Sequence, residues 1–407
     1  MLGIRDGKKD FEGGYNQVIY LDNAATTPVL PEVYEAMIPW LSGKKFGNPS
    51  SLHSAGKEAK EAVEQARQYV ADLINAESKD EIIFTSGGTE SNNLALNGTA
   101  HNLRMLMISS IEHRSILGQA NILRDRYCTT VFRIPVDADG VVCLDRVARC
   151  TERLNFTLAS FMLANNETGA VQPIWEISRL CRLCGAVLHT DAVQAVGHMK
   201  VDVMELDVDL LSLSGHKFGA PDGIGALYIR RSVRDRIVAL LYGGRQEYGL
   251  RAGTENVAGI VGLGEAARIA KRDLNERIER NKLLRKEFLR GVWLNGDLGE
   301  NGIRVNCGNV ETLSNILSVT VEGVESESLL LMMDANDVCI SAASACSAGS
   351  LEPSHVLTAM GMPEEEAQCT VRISFGNCNT MQEVFEAGAL FGKCVQKIRA
   401  MYGGLKK

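Results

Sequence analysis

No run of eighteen apolar residues occurs in the 407-residue chain, so the sequence predicts no membrane span. The opening stretch MLGIRDGKKDFEGGYNQ lacks the apolar centre of a secretory signal, and its acidic residues speak against a mitochondrial presequence. An excess of positive charge is also missing. The formal net charge of −7 argues against nucleic acid as the main ligand. Cysteine itself is not scarce, but a disulfide framework is. The eleven cysteines are odd in number and scattered, which predicts free thiols in a reducing cytoplasm. Cys181 and Cys184 form a CxxC inside a helical stretch, and no second pair completes a zinc site, so they are read as helix packing. No internal repeat or low-complexity segment is visible.

What is present is globular. With 45% apolar and 23% charged residues, the chain is long enough for two domains. From Glu81 to Ile229 strand-like runs alternate with helical ones. Glu81–Thr85, Met105–Ser109, Val131–Val136, Leu158–Leu163, Ala186–His189, Val208–Leu213 and Gly225–Ile229 read as strands. A helix is expected to begin near Glu90, after the turn Ser86-Gly87-Gly88-Thr89. This alternation predicts an α/β fold with a mostly parallel sheet covered on both faces and ligands at its C-terminal strand edges. Residues 258–291 read as one long amphipathic helix, and the remainder as a smaller α+β unit. The expected division is an N-terminal segment 1–24 joining the small domain, a large domain 25–260, and a connecting helix with the small domain 261–407.

The stretch LSLSGHKFGAPDGIGALYIR concentrates the chemistry. Lys217 lies between apolar runs and follows Ser214, Gly215 and His216. Desolvation lowers a lysine's pKa, and a neutral amine attacks carbonyls, which points to pyridoxal phosphate. That cofactor needs a carboxylate at its pyridine nitrogen, and Asp191 at an earlier strand end suits the task. Gln194 can donate to the phenolic oxygen, His113 can stack on the ring, and Asn166 can lie beside it. The helix start at Gly88 and Thr89 suits the phosphate, together with Ser214 and His216. In the small domain, Ile340 to Ser350 is almost uniformly small around one thiol, Cys346, and is expected to be a mobile loop. Arg372, on a strand in TVRISFG, can bind a carboxylate bidentately.

Ten motifs in order, among them LDNAATTP, FTSGGTESNNLA, EHRSI, NNETG, HTDAVQAVG, SGHKFGAPDGIGALY, GLRAGTEN, SACSAGSLEPSHVL and VRISFG, resemble the NifS/IscS-type cysteine desulfurases of the class V aminotransferase family. The resemblance runs from Tyr20 to about Met401. It implies a fold type I pyridoxal phosphate enzyme acting on L-cysteine. Lys217 would hold the cofactor and move the substrate α-proton, and Asp191, Gln194 and His113 would contact its ring. Gly88, Thr89, Ser214, Gly215 and His216 would hold phosphate, with Thr254 reaching in from the partner of a homodimer. Arg372 and Asn166 would hold the substrate. Cys346 would accept the sulfur as a persulfide, leaving L-alanine, and pass it to an iron–sulfur scaffold or another acceptor; transient iron–sulfur contact at Cys346 follows from the same role.

The long segment between Cys346 and Val356 resembles the group I branch. Two positions depart from the family pattern: Ala342-Ala343-Ser344-Ala345-Cys346 stands where SSGSAC is usual, and Asn377-Cys378 replaces a basic or aromatic residue. Cys378 is expected to pack in the interior, with a second thiol near the site as the alternative. An aminotransferase or β-lyase on the same fold would not need Cys346, and a weakly active assembly subunit would act through its partners.

Overall fold

The computed structural model describes residues 18–99, 103–294, 302–342 and 353–403. The chain begins with the short strand β1 (Ile19–Tyr20) and helices α1 (Pro31–Leu41) and α2 (Ser54–Leu73). The alternation follows as β2 (Ile82–Thr85), α3 (Gly88–Gly98), β3 (Met105–Ser109), α4 (Arg114–Tyr127), β4 (Thr130–Ile134), α5 (Leu144–Arg153) and β5 (Leu158–Met162). It continues through α6 (Ile174–Cys184), β6 (Val187–Asp191), α7 (Val203–Leu206), β7 (Leu210–Ser214) and β8 (Gly225–Ile229). Helix α8 (Val257–Leu294) then leads to β9 (Ile303–Val305), β10 (Ile316–Val321), α9 (Ser326–Asp334), β11 (Val338–Cys339) and β12 (Ser341–Ala342). The last elements are α10 (His355–Ala359), α11 (Glu364–Gln368), β13 (Thr370–Ser374) and α12 (Met381–Gly403).

Seven strands form one sheet in the order β2-β8-β7-β6-β5-β3-β4. Its pairings are parallel except those of β8, which runs against both β7 and β2. The hairpin-like return through Pro221-Asp222-Gly223 explains the exception, because a connection this short cannot cross over to a parallel neighbour. Side chains alternate between two buried faces. Ile82, Phe84, Met107, Phe161, Leu188 and Leu211 enter one core, and Ile83, Leu106, Ile108, Leu158, Val187 and Leu210 the other. Helix α3 begins at Gly88, ahead of Glu90, because Gly87 takes a φ of 151° and ends the turn at once. Strand β6 extends to Asp191, because Met162 of β5 pairs with it.

A second sheet, β12-β13-β10-β9, is antiparallel. It packs on α8, α9 and α12 around Phe288, whose ring meets Phe391 edge-on at 5.6 Å and Phe375 at 6.2 Å. Helix α8 serves both cores: Ile260, Leu263 and Ala267 enter the first, and Leu284, Phe288 and Val292 the second. Early and late segments of the described chain meet here. Strand β1 pairs in parallel with β11, Leu21 joins the second core, and Asn23 Nδ2 donates to the Ser374 carbonyl at 3.0 Å. Val356, Leu357 and Met360, late in the chain, pack into the first core. No described helix is long and apolar enough to cross a membrane.

Candidate active site

The C-terminal ends of β3, β5, β6 and β7 surround a cavity of about 310 Å³. Its lining brings together Gly88, Thr89, His113, Asn166, Asp191, Gln194, Ser214, His216, Lys217 and Arg372, ten of the expected residues. They come from segments far apart in sequence, and parallel strand topology is what gathers them.

Lys217 ends a tight turn, Gly215–Lys217, directly after β7. Its Nζ donates to the carbonyls of Ala24 at 2.8 Å and Ala25 at 2.7 Å. The segment is held in place by Thr27, whose N–H and hydroxyl both donate to the His216 carbonyl, at 2.9 and 2.8 Å. The small residues of LDNAATTP thus let backbone carbonyls reach the amine.

Asp191 is fixed from two sides. Oδ2 accepts from Asn92 Nδ2 at 2.7 Å, and Oδ1 from the Val193 N–H at 3.0 Å. Asn92 was not singled out in the sequence, although it lies four residues after Gly88 and therefore on the same helix face. Gln194 Nε2 donates to the Ala24 carbonyl at 2.9 Å, while its Oε1 is buried and has no partner among the described residues. His113 caps α4. Its Nδ1 accepts from the Ser115 N–H at 3.2 Å, so the neutral ring carries its proton on Nε2. Burial lowers the pKa of His216, whose Nδ1 lies 3.1 Å from Thr26 Oγ1.

Arg372 is buried at 3% exposure rather than forming a surface pair. Nη2 donates to Asp22 Oδ1 at 2.7 Å, and Nη1 to the Asn166 carbonyl at 2.8 Å. Its Nε has no partner among the described residues.

Two buried carboxyls stand behind the cavity, and the sequence reading missed both. Glu112 is fully buried, and desolvation pushes its pKa to about 8. Its Oε1 accepts from the Met162 N–H at 3.0 Å and from Ser109 Oγ. Glu167 is raised to about 7, again by burial, and accepts from Ser354 Oγ, the N-cap of α10. His355 Nε2 lies 3.0 Å from the Glu112 carbonyl. Ser354 and His355 therefore stand directly against the segments that carry His113 and Asn166. The signal available in the sequence was adjacency: EH and NE each join a buried acid to a cavity residue.

Some expected residues lie elsewhere. Gly215 does not line the cavity, because its Cα faces the core: a Cβ there would meet Ala220 at 2.8 Å and Leu263 at 3.1 Å. Thr254 is exposed and not in the lining. Its segment is tied to the start of α3 by Arg251 Nε on Glu90 Oε1 at 2.9 Å. Cys346 and Ala343 lie outside the described residues. Cys378 is exposed instead of packed inside, because the chain turns outward after β13. Cys181 is buried on α6, as helix packing requires. Among the described residues no group of His, Cys, Asp or Glu could hold a metal.

Pyridoxal phosphate suits this donor set. Lys217 can hold an aldehyde, Asp191 a ring nitrogen, and the α3 start, where Gly87 offers no side-chain cap, a phosphate. Gln194 Oε1 and Asn92 Oδ1, both buried, have no partner among the described residues, which leaves hydrogen-bonding capacity for a ligand here.

Residues 19–386 match the model of the class-V aminotransferase family. The chain is 45% identical over 390 residues to the cysteine desulfurase IscS of Methanosarcina thermophila, covering 95% of this chain and 94% of that one. It is 44% identical over 388 residues to the IscS of Dictyoglomus turgidum, covering 94% and 96%. Among solved structures, a NifS-like protein from Rickettsia africae superposes with a TM-score of 0.82 at 32% identity, covering 94% of this chain and 99% of its own. A structure titled SspA in complex with cysteine gives 0.75 at 36% identity, covering 88% and 98%. The chain belongs to the class-V aminotransferase family, on its NifS/IscS-like cysteine desulfurase branch.

Proposed function

We propose that this protein is a pyridoxal phosphate-dependent cysteine desulfurase that converts L-cysteine to L-alanine and supplies the sulfur for iron–sulfur cluster assembly. The observation that carries the reading is the convergence of Lys217, Asp191, Gln194, His113 and Arg372 on one cavity, in a chain whose relatives are named cysteine desulfurases. The cofactor, when bound, supplies an electron sink that weakens the bonds of a substrate's α-carbon.

The chain's own residues would divide the remaining work. Asp191, oriented by Asn92, would hold the cofactor's ring nitrogen and favour its protonated form. Arg372 presents a guanidinium to the substrate carboxylate, with Asn166 beside it. Lys217 takes the substrate α-proton and later returns one. His113 would lie against the cofactor and could give or take a proton at Nε2. The Cys346 thiolate would attack the substrate sulfur: a sulfur–sulfur bond forms, the carbon–sulfur bond breaks with its electron pair staying on the carbon fragment, that fragment takes up protons to leave as L-alanine, and Cys346 carries a persulfide. A thiol has a pKa of about 8.5, so Cys346 needs local positive charge or a base to react at neutral pH.

The persulfide would pass to an iron–sulfur scaffold protein or another sulfur acceptor. A homodimer follows from the same reading: exposed Thr254, outside its own cavity but anchored near α3, suits the phosphate of a neighbouring copy. Domain boundaries near 24 and 260 are part of the proposal, supported by the pairing of β1 with β11 and by Leu21 in the second core.

The test is a product analysis with L-cysteine and a thiol reductant, for wild type and Cys346→Ala. Alanine and sulfide in equal amounts, lost in the variant, are expected. Pyruvate and ammonia, unaffected by the substitution, would establish a β-lyase instead.

A further inference from the structure

Lys217 also borders a second and much smaller cavity, of about 20 Å³. That is room for one small particle, a water or a monovalent ion somewhat larger. Arg277 of α8 lines it and is 6% exposed. Its Nη1 donates to the Gly197 carbonyl at 3.0 Å, but Nε and Nη2 have no partner among the described residues. No described carboxylate forms a direct ion pair with it; Asp273, about one turn earlier on α8, acts on it only from a distance and is itself taken by Arg272 at 2.5 Å. A guanidinium stays protonated in proteins, and a buried charge without a counter-charge is strongly unfavourable.

His198 lines the same cavity. Its Nε2 lies 2.8 Å from the Lys217 carbonyl and must donate to it. Burial holds this histidine's pKa down to about 4, so the ring is neutral and Nδ1 is a bare acceptor. Nδ1 also has no partner among the described residues. Asn377 and Cys378, both exposed, border the cavity and leave a way in.

We propose that this cavity is a binding site for one small inorganic monovalent anion, held by Arg277 Nε and Nη2 beside His198. The two unpartnered donors and the one unpartnered acceptor define the ligand. A halide satisfies the donors alone. Hydrosulfide accepts from Arg277 and donates its S–H to His198 Nδ1, so it satisfies all three. Through His198 the anion touches the backbone of Lys217, which links its occupancy to the position of the amine.

The test uses the holoenzyme at constant ionic strength in sodium bromide, sodium hydrosulfide or sodium gluconate, the last being too large for the site. Bromide is expected to raise the melting temperature relative to gluconate by about 2–3 °C at a hundredfold excess over its Kd. Hydrosulfide is expected to do so at lower concentration, and Arg277→Met to abolish both shifts. Crystals of wild type in bromide should show an anomalous peak between Arg277 and His198, a readout independent of how well the variant folds. Equal melting in bromide, hydrosulfide and gluconate, with a water rather than bromide in the crystals, would overturn the proposal. A bromide peak with equal affinity for hydrosulfide upholds the anion site and makes halide its ligand.

Discussion

Arg372 and Asp22, 350 residues apart in the chain, form an ion pair of 2.7 Å at the edge of the cofactor cavity. The pair fixes the guanidinium with one arm, and the Asn166 carbonyl engages a second. The remaining Nε–H has no described partner. The arginine is thus oriented before any substrate arrives.

Replacing that fork should separate binding from chemistry. Arg372→Lys keeps the charge but loses the planar donors. A charge-assisted hydrogen bond contributes roughly 1.5–3 kcal/mol, so KM for L-cysteine should rise about tenfold or more. The contact is made equally in ground and transition states, so kcat should change little. Steady-state kinetics checks this; an unchanged KM with a collapsed kcat would remove Arg372 from substrate binding.

Stability should depend on pH in a shape set by four buried groups. Burial raises Glu112 to about 8 and Glu167 to about 7, and lowers His189 to about 3 and His198 to about 4. Between its unfolded and folded pKa each carboxyl binds more protons in the folded state, so stability falls as pH rises. Each histidine binds more protons when unfolded, so stability falls as pH drops through about 6.5. The two effects cancel between about pH 4.5 and 6.5, and stability declines on both sides. Glu112→Gln should remove a slope of about 1.4 kcal/mol per pH unit from the alkaline side. Urea unfolding at a series of pH values measures it, and an unaltered slope in the variant would contradict the assignment.

The turn before α3 should be intolerant of a single methyl group. A Cβ on Gly225 of β8 would lie 2.6 Å from the Leu213 carbonyl oxygen and 2.7 Å from Gly87 Cα. Both obstacles are backbone and cannot swing away. Gly225→Ala should destabilise the protein by about 1–3 kcal/mol and weaken cofactor retention, because Gly87 and Gly88 are displaced together. Denaturant midpoints and cofactor loss on dialysis report the two effects; retention equal to wild type would show that the turn does not hold phosphate.

The site was legible in the sequence wherever strand order alone decides position. His113, Asn166, Asp191 and Ser214 each follow an apolar run, and a parallel sheet must deliver such residues to one edge. The antiparallel course of β8 was less visible, since a buried run carries no direction. Contacts between distant segments could not be read either. Nothing local to Asp22 says that Arg372 will reach it, and nothing local to Ala24 and Ala25 says that their carbonyls will receive Lys217. Glu112 and Glu167 escaped notice because an acid in sequence is presumed solvated, whereas here the fold closes over both.

The pairing of β1 with β11, and of Asn23 with Ser374 across 351 residues, also bears on how the molecule is made. A ribosome adding 5–20 residues each second needs roughly 20–70 s to reach Arg372 after Asp22 has emerged. Lys217 and Asp191 are complete well before that moment. A nascent chain therefore carries both residues while the N-terminal strand still waits for its partners. The guanidinium that would recognise substrate is made after every other residue lining the cavity, so the site becomes complete only near the end of synthesis.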